Sequence, residues 1–306
     1  MDSKVVIQGN STKTSHLVKA IEQVAGKIDT EVKGQYGHTV IIKTGDVTIN
    51  NSELDCEFTI PFDDDTEANE AEIIVYNLSD TTIKNIKSGA KITVTAGYGK
   101  DTGVIFSGFI SSKKTYHDDC DKVTKIFALD DMNLKEKDVT SVSYAKGTKA
   151  SKILRDLVKK VGLPVAAFEV KRDYTYKNEE TVDGGLMSNI ERLAGICGVS
   201  AYILKSKIYV RPLNKGDNTN FELSNDTGLI DYEAFEEKET NGDYKDIIRG
   251  YKVTMLLQHQ VQTASIFKIK ARDVSGTFRV MSGSHEYNGD EFITKAKVVD
   301  KIEYGK

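Results

Sequence analysis

The chain has little of several features that mark common classes of protein. It contains three prolines and no tryptophan among 306 residues. The scarcity of proline excludes Pro-rich linkers, and the absence of tryptophan disfavours a cleft that stacks on carbohydrate. No apolar run reaches the length of about 18 residues that a transmembrane helix needs, so we expect no membrane span. The first residues, MDSKVVIQGN, lack a basic head followed by an apolar stretch, so we expect no secretion signal.

Cysteine is also scarce, and its placement indicates the redox environment. Cys56, Cys120 and Cys197 are odd in number and far apart. We therefore expect reduced thiols in a protein made in the cytoplasm, which disfavours a secreted or surface binding module. Cys56 and Cys197 fall on apolar faces of a predicted strand and helix, whereas Cys120 is the plausibly exposed thiol.

A large excess of one sign of charge is absent too, with 42 Lys and Arg against 46 Asp and Glu. The formal net charge is −4 with 29% charged residues, so nothing in the composition suggests a basic face that binds nucleic acid. At this length the chain has room for two or three domains.

What is present is β-structure, seen best from Ala71 to Ile110. Apolar and polar residues alternate there, as at Ile92 and Val94, which is the period-two pattern of a sheet with one wet face. Ser79 is a predicted helix N-cap, and Gly89 ends the short turn that follows. The same kind of pattern extends over most of 31–140 and predicts a first antiparallel β-barrel.

The other segments differ in character. Residues 1–30 predict a helical arm, because Leu17, Ile21, Val24 and Ile28 form one apolar stripe. That helix either packs on its own domain or docks on a neighbour. Residues 141–214 predict a small α/β domain with two amphipathic helices that end at Gly162 and Gly198.

Alternation returns in 215–306 and predicts a second β-barrel. The acidic stretch 226–245 predicts a mobile loop. The fold expected for the whole chain is thus mostly β with an α+β insert, as two tube-type antiparallel β-barrels that flank a small α/β domain.

Four groups of residues resemble chemical sites, and each has a simpler interpretation. Gly97, Tyr98, Gly99 and Gly103 imitate a phosphate loop, but no Gly-Lys-Ser/Thr follows, so turn glycines are favoured. The run His117–Asp121 predicts a solvated hairpin tip and Asp63–Asp65 a solvated acidic loop, since neither has the spacing of metal ligands.

Ser282, Ser284 and His285 lack the nucleophile-elbow pattern, so a turn between strands is favoured. Accidental carboxylate pairs of the glycosidase type stay open among the 46 acids. We predict no catalytic, cofactor-binding or metal-binding residue.

The order of the segments resembles the baseplate hub proteins of tailed bacteriophages and related contractile injection systems, of the late control protein D type. The motifs that carry the resemblance are IVYNLSDTTIKNIKSG at Ile74–Gly89, TKIFALDD at Thr124–Asp131, GTKASKILRDLVKKVGLP at Gly147–Pro164, GLMSNIERLAGICGVSAYI at Gly185–Ile203 and GTFRVMSGSHEYNGDEFITKAKVV at Gly276–Val299.

The resemblance implies a structural virion protein, not an enzyme. Such a late protein would assemble in the host cytoplasm into a phage tail or phage-tail-like particle. A homotrimer would present six barrels, adapt the six-fold tail tube to a three-fold tip or spike, and line the channel. The implied partners are the tail tube or distal tube protein, the tip or spike protein, the tape-measure protein and other baseplate proteins. DNA would pass without specific binding, past carboxylates for which 63–72 and 226–239 are candidates. The alternative is a tail-associated cell-wall hydrolase related to hubs.

Overall fold

The computed structural model describes residues 37–130, 138–205 and 207–305. The predicted arm at 1–30 lies outside the described residues. The chain is mostly β and is built on one 13-stranded sheet that runs through two β-rich halves, with smaller sheets in a central unit. None of the helices within the described ranges combines the length and apolar character needed to span a bilayer.

The first half alternates buried and exposed side chains along its strands, as predicted. Its elements are β1 (His38–Thr44), β2 (Val47–Asn50), β3 (Cys56–Phe62), β4 (Glu70–Tyr76), α1 (Asp80–Asn85), β5 (Lys91–Tyr98), β6 (Asp101–Asp118) and β7 (Asp121–Leu129). The Ser79 cap is confirmed, because the amide of Thr82 donates to the Ser79 hydroxyl. Side chains of β1–β7 and Ile86 form one large apolar core.

The central unit contains the two predicted helices. Its elements are β8 (Asp138–Tyr144), α2 (Ala150–Val161), β9 (Val165–Phe168), β10 (Glu180–Gly185), α3 (Leu186–Ile196), β11 (Ser200–Leu204) and β12 (Lys207–Arg211). Gly162 adopts the left-handed conformation that ends α2, as its position predicts. Strand β8 pairs with β10, and β9, β11 and β12 form a separate sheet. The apolar faces of α2 and α3 share a core of their own.

The second half corrects two predictions. Its elements are β13 (Asp217–Leu223), a 3₁₀ turn (Asn225–Thr227), β14 (Leu229–Asn241), β15 (Tyr244–Leu256), β16 (Ser265–Lys270), β17 (Ser275–Tyr287) and β18 (Phe292–Glu303). The prediction of a mobile loop at 226–245 is wrong, since most of it is β14, hydrogen-bonded to β15. The predicted turn at Ser282–His285 is also wrong, since this segment is the middle of β17.

The two halves repeat the same strand connectivity. In the first half β3 pairs with β4, β4 with β7, β7 with β6, β6 with β5, and β5 with β1. In the second half β14 pairs with β15, β15 with β18, β18 with β17, β17 with β16, and β16 with β13. The sequence order is conserved in this match, so β3–β7 correspond to β14–β18. One pairing differs in direction, since β1–β5 is antiparallel and β13–β16 is parallel.

The repeat extends to register. The β6–β7 ladder is interrupted between Ile110 and Ser112, and the β17–β18 ladder between Val280 and Ser282. Strand β17 also pairs with β3, which joins the two halves into the single sheet. Closure of each half into a separate barrel stays a prediction.

Candidate functional site

The serine and histidine residues singled out from the sequence do not form a catalytic group. The Ser284 hydroxyl donates to Glu286 Oε1 at 2.6 Å, and His285 Nδ1 lies 2.8 Å from Thr294 Oγ1. Successive side chains of a strand point to opposite faces, so Ser284 and His285 face away from each other. Burial lowers the pKa of His285 to about 4, so the imidazole is neutral at pH 7.

The other chemical candidates occupy structural positions. Residues 117–121 form the tip of the β6–β7 hairpin, as predicted, and Asp121 accepts a hydrogen bond from Asn77 at 2.8 Å. Gly99 lies in the β5–β6 turn with positive φ, and Gly103 lies in β6 against the ring of His259. Among the residues that the structure describes, no group of three or more His, Cys, Asp or Glu side chains is arranged to hold a metal ion.

The acidic segment 63–65 is not the solvated loop that the sequence predicts. Asp64 is buried and pairs with the guanidinium of Arg279, whose side chain is 2% exposed. Arg279 also donates from Nε to the Lys215 carbonyl at 3.1 Å and from Nη2 to Ser200 Oγ at 3.3 Å. One arginine of the second half therefore binds a loop of the first half and a strand of the central unit.

Further carboxylates gather around this loop. The Thr263 hydroxyl donates to the carbonyl of Asp63 at 2.8 Å. Burial, followed by the charge of Asp65, raises the pKa of Asp63. Burial also raises the pKa of Glu191 on α3, with the carboxylates of Asp65 and Glu67 adding to the shift. The junction is thus held by a buried charge pair inside a locally acidic environment.

A second buried arginine ties the central unit to the second half. Arg172 forms two hydrogen bonds to Asp246, of 2.6 and 2.8 Å, and donates to the carbonyls of Gly195 and Ile196. Its guanidinium stacks 3.9 Å from the ring centroid of Tyr244. The bidentate pair lowers the pKa of Asp246 despite the opposing effect of burial.

Aromatic side chains make the third link, between the two halves. His38 stacks on Phe292 with ring centroids 4.6 Å apart, and Tyr98 and Tyr287 meet the same Phe292 ring edge-on. The Tyr98 hydroxyl donates to the Phe292 carbonyl at 3.2 Å. The end of the β17–β18 hairpin therefore completes the core of the first half.

A cleft of about 300 Å³ opens where the three parts meet. Its walls include Val104 of β6, Leu204 of β11 and Val261 of the segment before β16. At its side His259 Nε2 lies 3.0 Å from Asp101 Oδ1, which links β6 to the second half. The carboxylate of Asp101 is 82% exposed, so this pair is a surface contact.

Two strand edges of the large sheet lack a partner strand within the described residues. Strand β14 pairs with β15 along one edge, and no described strand pairs with its other edge. In β6, residues 101–109 pair with β5, but beyond Ile110 only β7 is paired within the described residues. Such edges are templates for another strand.

Sequence reasoning missed both buried arginines. Arg279 stands in the apolar run Phe278–Met281, where a charge without a partner would be costly. That context was a usable signal for a buried ion pair. No comparable local signal identifies Arg172, which lies in the polar segment after β9. The thiols follow the prediction: Cys56 and Cys197 are buried, with pKa values raised to about 12 chiefly by burial, and Cys120 is exposed.

The model of one protein family matches this chain. It is the family described as baseplate hub gp41, and the match covers residues 71–272. The chain belongs to the baseplate hub gp41 family. The match includes most of the first half, all of the central unit and β13–β16 of the second half, and it confirms the resemblance seen in the sequence. No curated protein matches by sequence.

Solved structures show that the fold is shared across most of the chain. The tail protein from Neisseria meningitidis MC58 has 10% identity and a TM-score of 0.58, covering 87% of this chain and 97% of that one. The 43 kDa tail protein of prophage MuSo2 from Shewanella oneidensis has 10% identity and a TM-score of 0.59, with coverage of 86% and 98%.

A third similar structure is the E. coli c3393 protein, a component of the type VI secretion system with structural similarity to the T4 bacteriophage tail proteins gp27 and gp5. It has 8% identity and a TM-score of 0.53, with coverage of 85% of this chain and 76% of that one. At these identities the three matches establish the fold alone.

Proposed function

We propose that this protein is a structural baseplate hub that forms a homotrimeric ring between the six-fold tail tube and a three-fold tip or spike. The observation that carries the proposal is the repeated strand connectivity of β3–β7 and β14–β18 in a chain of the baseplate hub gp41 family. Two equivalent β units per chain give six units in three copies, so a trimer can match a hexameric tube.

In this proposal each half is a tube-type barrel, within domains at 31–140 and 215–306, and 141–214 is the α/β domain between them. Baseplate proteins, the tail tube protein, the tape-measure protein and the spike are its partners. Its location is the tail baseplate of a virion or a phage-tail-like particle, after assembly in the host cytoplasm.

The polar face of the sheet suits a channel that DNA crosses without being held. Three of its lysines are paired with glutamates: Lys125 with Glu72 at 2.7 Å, Lys295 with Glu286 at 2.6 Å, and Lys297 with Glu237. Lysines that are already neutralised offer few contacts to phosphates, and phosphate contacts supply most non-specific affinity. We propose that this face lines the bore.

The test is the mass of the full chain by light scattering, alone and with the tail tube protein of the same particle. We expect three times the chain mass of 33.9 kDa. A monomer under both conditions would contradict the proposal.

The chain is proposed to act without catalysis. A cell-wall gel exposed to folded protein is expected to stay turbid, and clearing of that gel would favour the hydrolase alternative. No contact in the described structure favours that alternative.

A further inference from the structure

The internal repeat gives a way to locate the contact between copies of this chain. Within one chain the two halves are joined by antiparallel pairing of β3 with the end of β17. The register places Phe58 opposite Tyr287, Thr59 opposite Glu286 and Phe62 opposite Gly283. This contact is heterologous, since it joins the first strand of one unit to the fourth strand of the other. Repetition of a heterologous contact builds a ring when the rotation closes.

The two strands that correspond to this pair have no partner strand at the matching edges among the residues that the structure describes. Strand β14 corresponds to β3, and β6 corresponds to β17. The residue equivalences follow from the ladders. Phe58 lies opposite Ile73 and Tyr232 lies opposite Val253 on the corresponding strands, so Phe58 corresponds to Tyr232. In the same way Lys113 lies opposite Ile126 and Gly283 lies opposite Ala296, so Lys113 corresponds to Gly283.

We propose that β14 of one copy adds antiparallel to the end of β6 in the next copy, in the register of the internal β3–β17 pair. Tyr116 then lies opposite Glu233, Lys114 opposite Phe235, and His117 opposite Tyr232. This inference rests on the proposed homo-oligomeric function, and it names the surface that forms the ring.

The charges of the two strands are complementary. Strand β14 carries five carboxylates and one lysine. Residues 112–118 of β6 carry Lys113 and Lys114 and a single aspartate. The ammonium of Lys113 binds the carbonyls of Ile83 and Ile86 at the end of α1. Lys114 is left as the exposed cation, diagonal to Glu233 and Glu237 in the proposed register.

Exposure of apolar side chains supports the same surfaces. Ile230 at the start of β14 is 55% exposed, and Phe109 of β6 is 39% exposed. Phe109 lies opposite Leu129, and Arg279 lies opposite Val299 on the corresponding strands. Phe109 therefore corresponds to Arg279, which is buried in the internal junction. A 13-residue edge strand without proline is long enough to act as a template for strand addition.

Disulfide trapping tests the register directly. In a Cys120→Ser background, Tyr116→Cys with Glu233→Cys is expected to give covalent ladders that end at a trimer under mild oxidation. The matched control is Thr59→Cys with Glu286→Cys, the equivalent positions inside one chain, which is expected to give an intramolecular bond in a monomer band. Tyr116→Cys with Glu237→Cys tests specificity, because Glu237 would lie four residues away, about 13 Å along the strand and beyond disulfide reach.

The outcomes separate this inference from the proposed function. Ladders from the 116/233 pair and none from the 116/237 pair support the β6–β14 contact. A trimer by light scattering that gives no ladder from 116/233, or gives one from 116/237, overturns the contact and leaves the trimeric hub intact. A monomer in every condition overturns both.

Discussion

The two halves of this molecule share one strand connectivity but differ in what covers their edges. In the first half the outer edge of β3 is paired with β17, whereas in the second half the outer edge of β14 has no partner among the described strands. The same structural unit is therefore closed by the chain itself in one case and left open in the other. The comparison shows where the proposed contact between copies would form.

Equivalent positions in the two halves have also diverged chemically. Arg279 of β17 is buried against Asp64, whereas its counterpart Phe109 of β6 is partly exposed. His285 is buried in the internal junction, whereas its counterpart Thr115 is exposed. In both pairs the residue of the second half faces a finished contact and the residue of the first half faces solvent.

The largest expected effect comes from breaking the finished junction. Arg279→Met leaves the buried carboxylate of Asp64 without its cation, so we expect the free energy of unfolding to fall by about 3–5 kcal/mol. Urea denaturation followed by circular dichroism measures the change.

Two further variants serve as controls for this change. The double variant Asp64→Leu with Arg279→Met removes both charges and is expected to recover most of the loss. Phe109→Ser at the equivalent position of the first half is expected to lower the unfolding free energy of the monomer by about 1–2 kcal/mol, less than the loss at Arg279, because Phe109 is 39% exposed. Equal losses at Arg279 and Phe109 would show that the two positions do not differ as described.

The next effect is a pH dependence that arises from His285 of the second half. The pKa of His285 is lowered to about 4 by burial, against an ordinary value of 6.5. The unfolded chain binds a proton at this residue below pH 6.5 and the folded chain does not, so the contribution to stability is complete above pH 6.5 and is lost as the pH falls toward about 4. The loss amounts to up to about 3 kcal/mol.

The variant His285→Thr, which installs the residue of the first half, isolates this effect. Its unfolding free energy should decline less steeply between pH 6.5 and 4 than that of the parent. Other titrating groups, such as Asp63, are common to both proteins and cancel in the difference. Parallel curves would contradict the assignment.

Much of the fold could be predicted because its strands and helices show local periodicity. Strands β11 and β12 begin and end at the predicted residues, since each is a short run that contains aromatic and β-branched side chains. Helices α2 and α3 follow from their apolar stripes and the glycines that end them. The family also could be predicted, because the order of its motifs is a property of sequence.

The rest depends on contacts that leave no local pattern. Strand β14 has no fully buried side chain, so its acidic sequence resembles a loop, and only pairing with β15 makes it a strand. Ser282–His285 has turn composition, yet β18 and β3 supply hydrogen bonds on its two edges. The Asp64–Arg279 pair joins residues far apart in sequence, and composition alone indicated a solvated acidic loop.

The smallest effect concerns the unpaired edges of β6 and β14, and it tests whether these two edges pair with each other. Lys114→Glu and Glu233→Lys each place like charges near one another in the proposed β6–β14 contact, and exposed pairs contribute about 0.2–1 kcal/mol. We expect each variant to raise the trimer dissociation constant a few-fold at low salt, with the unfolding free energy of the monomer unchanged within about 0.5 kcal/mol.

The double swap should restore assembly, because it exchanges the two charges across the same contact. Lys152→Glu on the exposed face of α2 makes the same charge change away from both edges and should leave assembly unaltered. Sedimentation equilibrium at low and high salt measures all four. A double swap that assembles no better than the single variants would show that Lys114 and Glu233 are not neighbours, and the two edges would then need different partners.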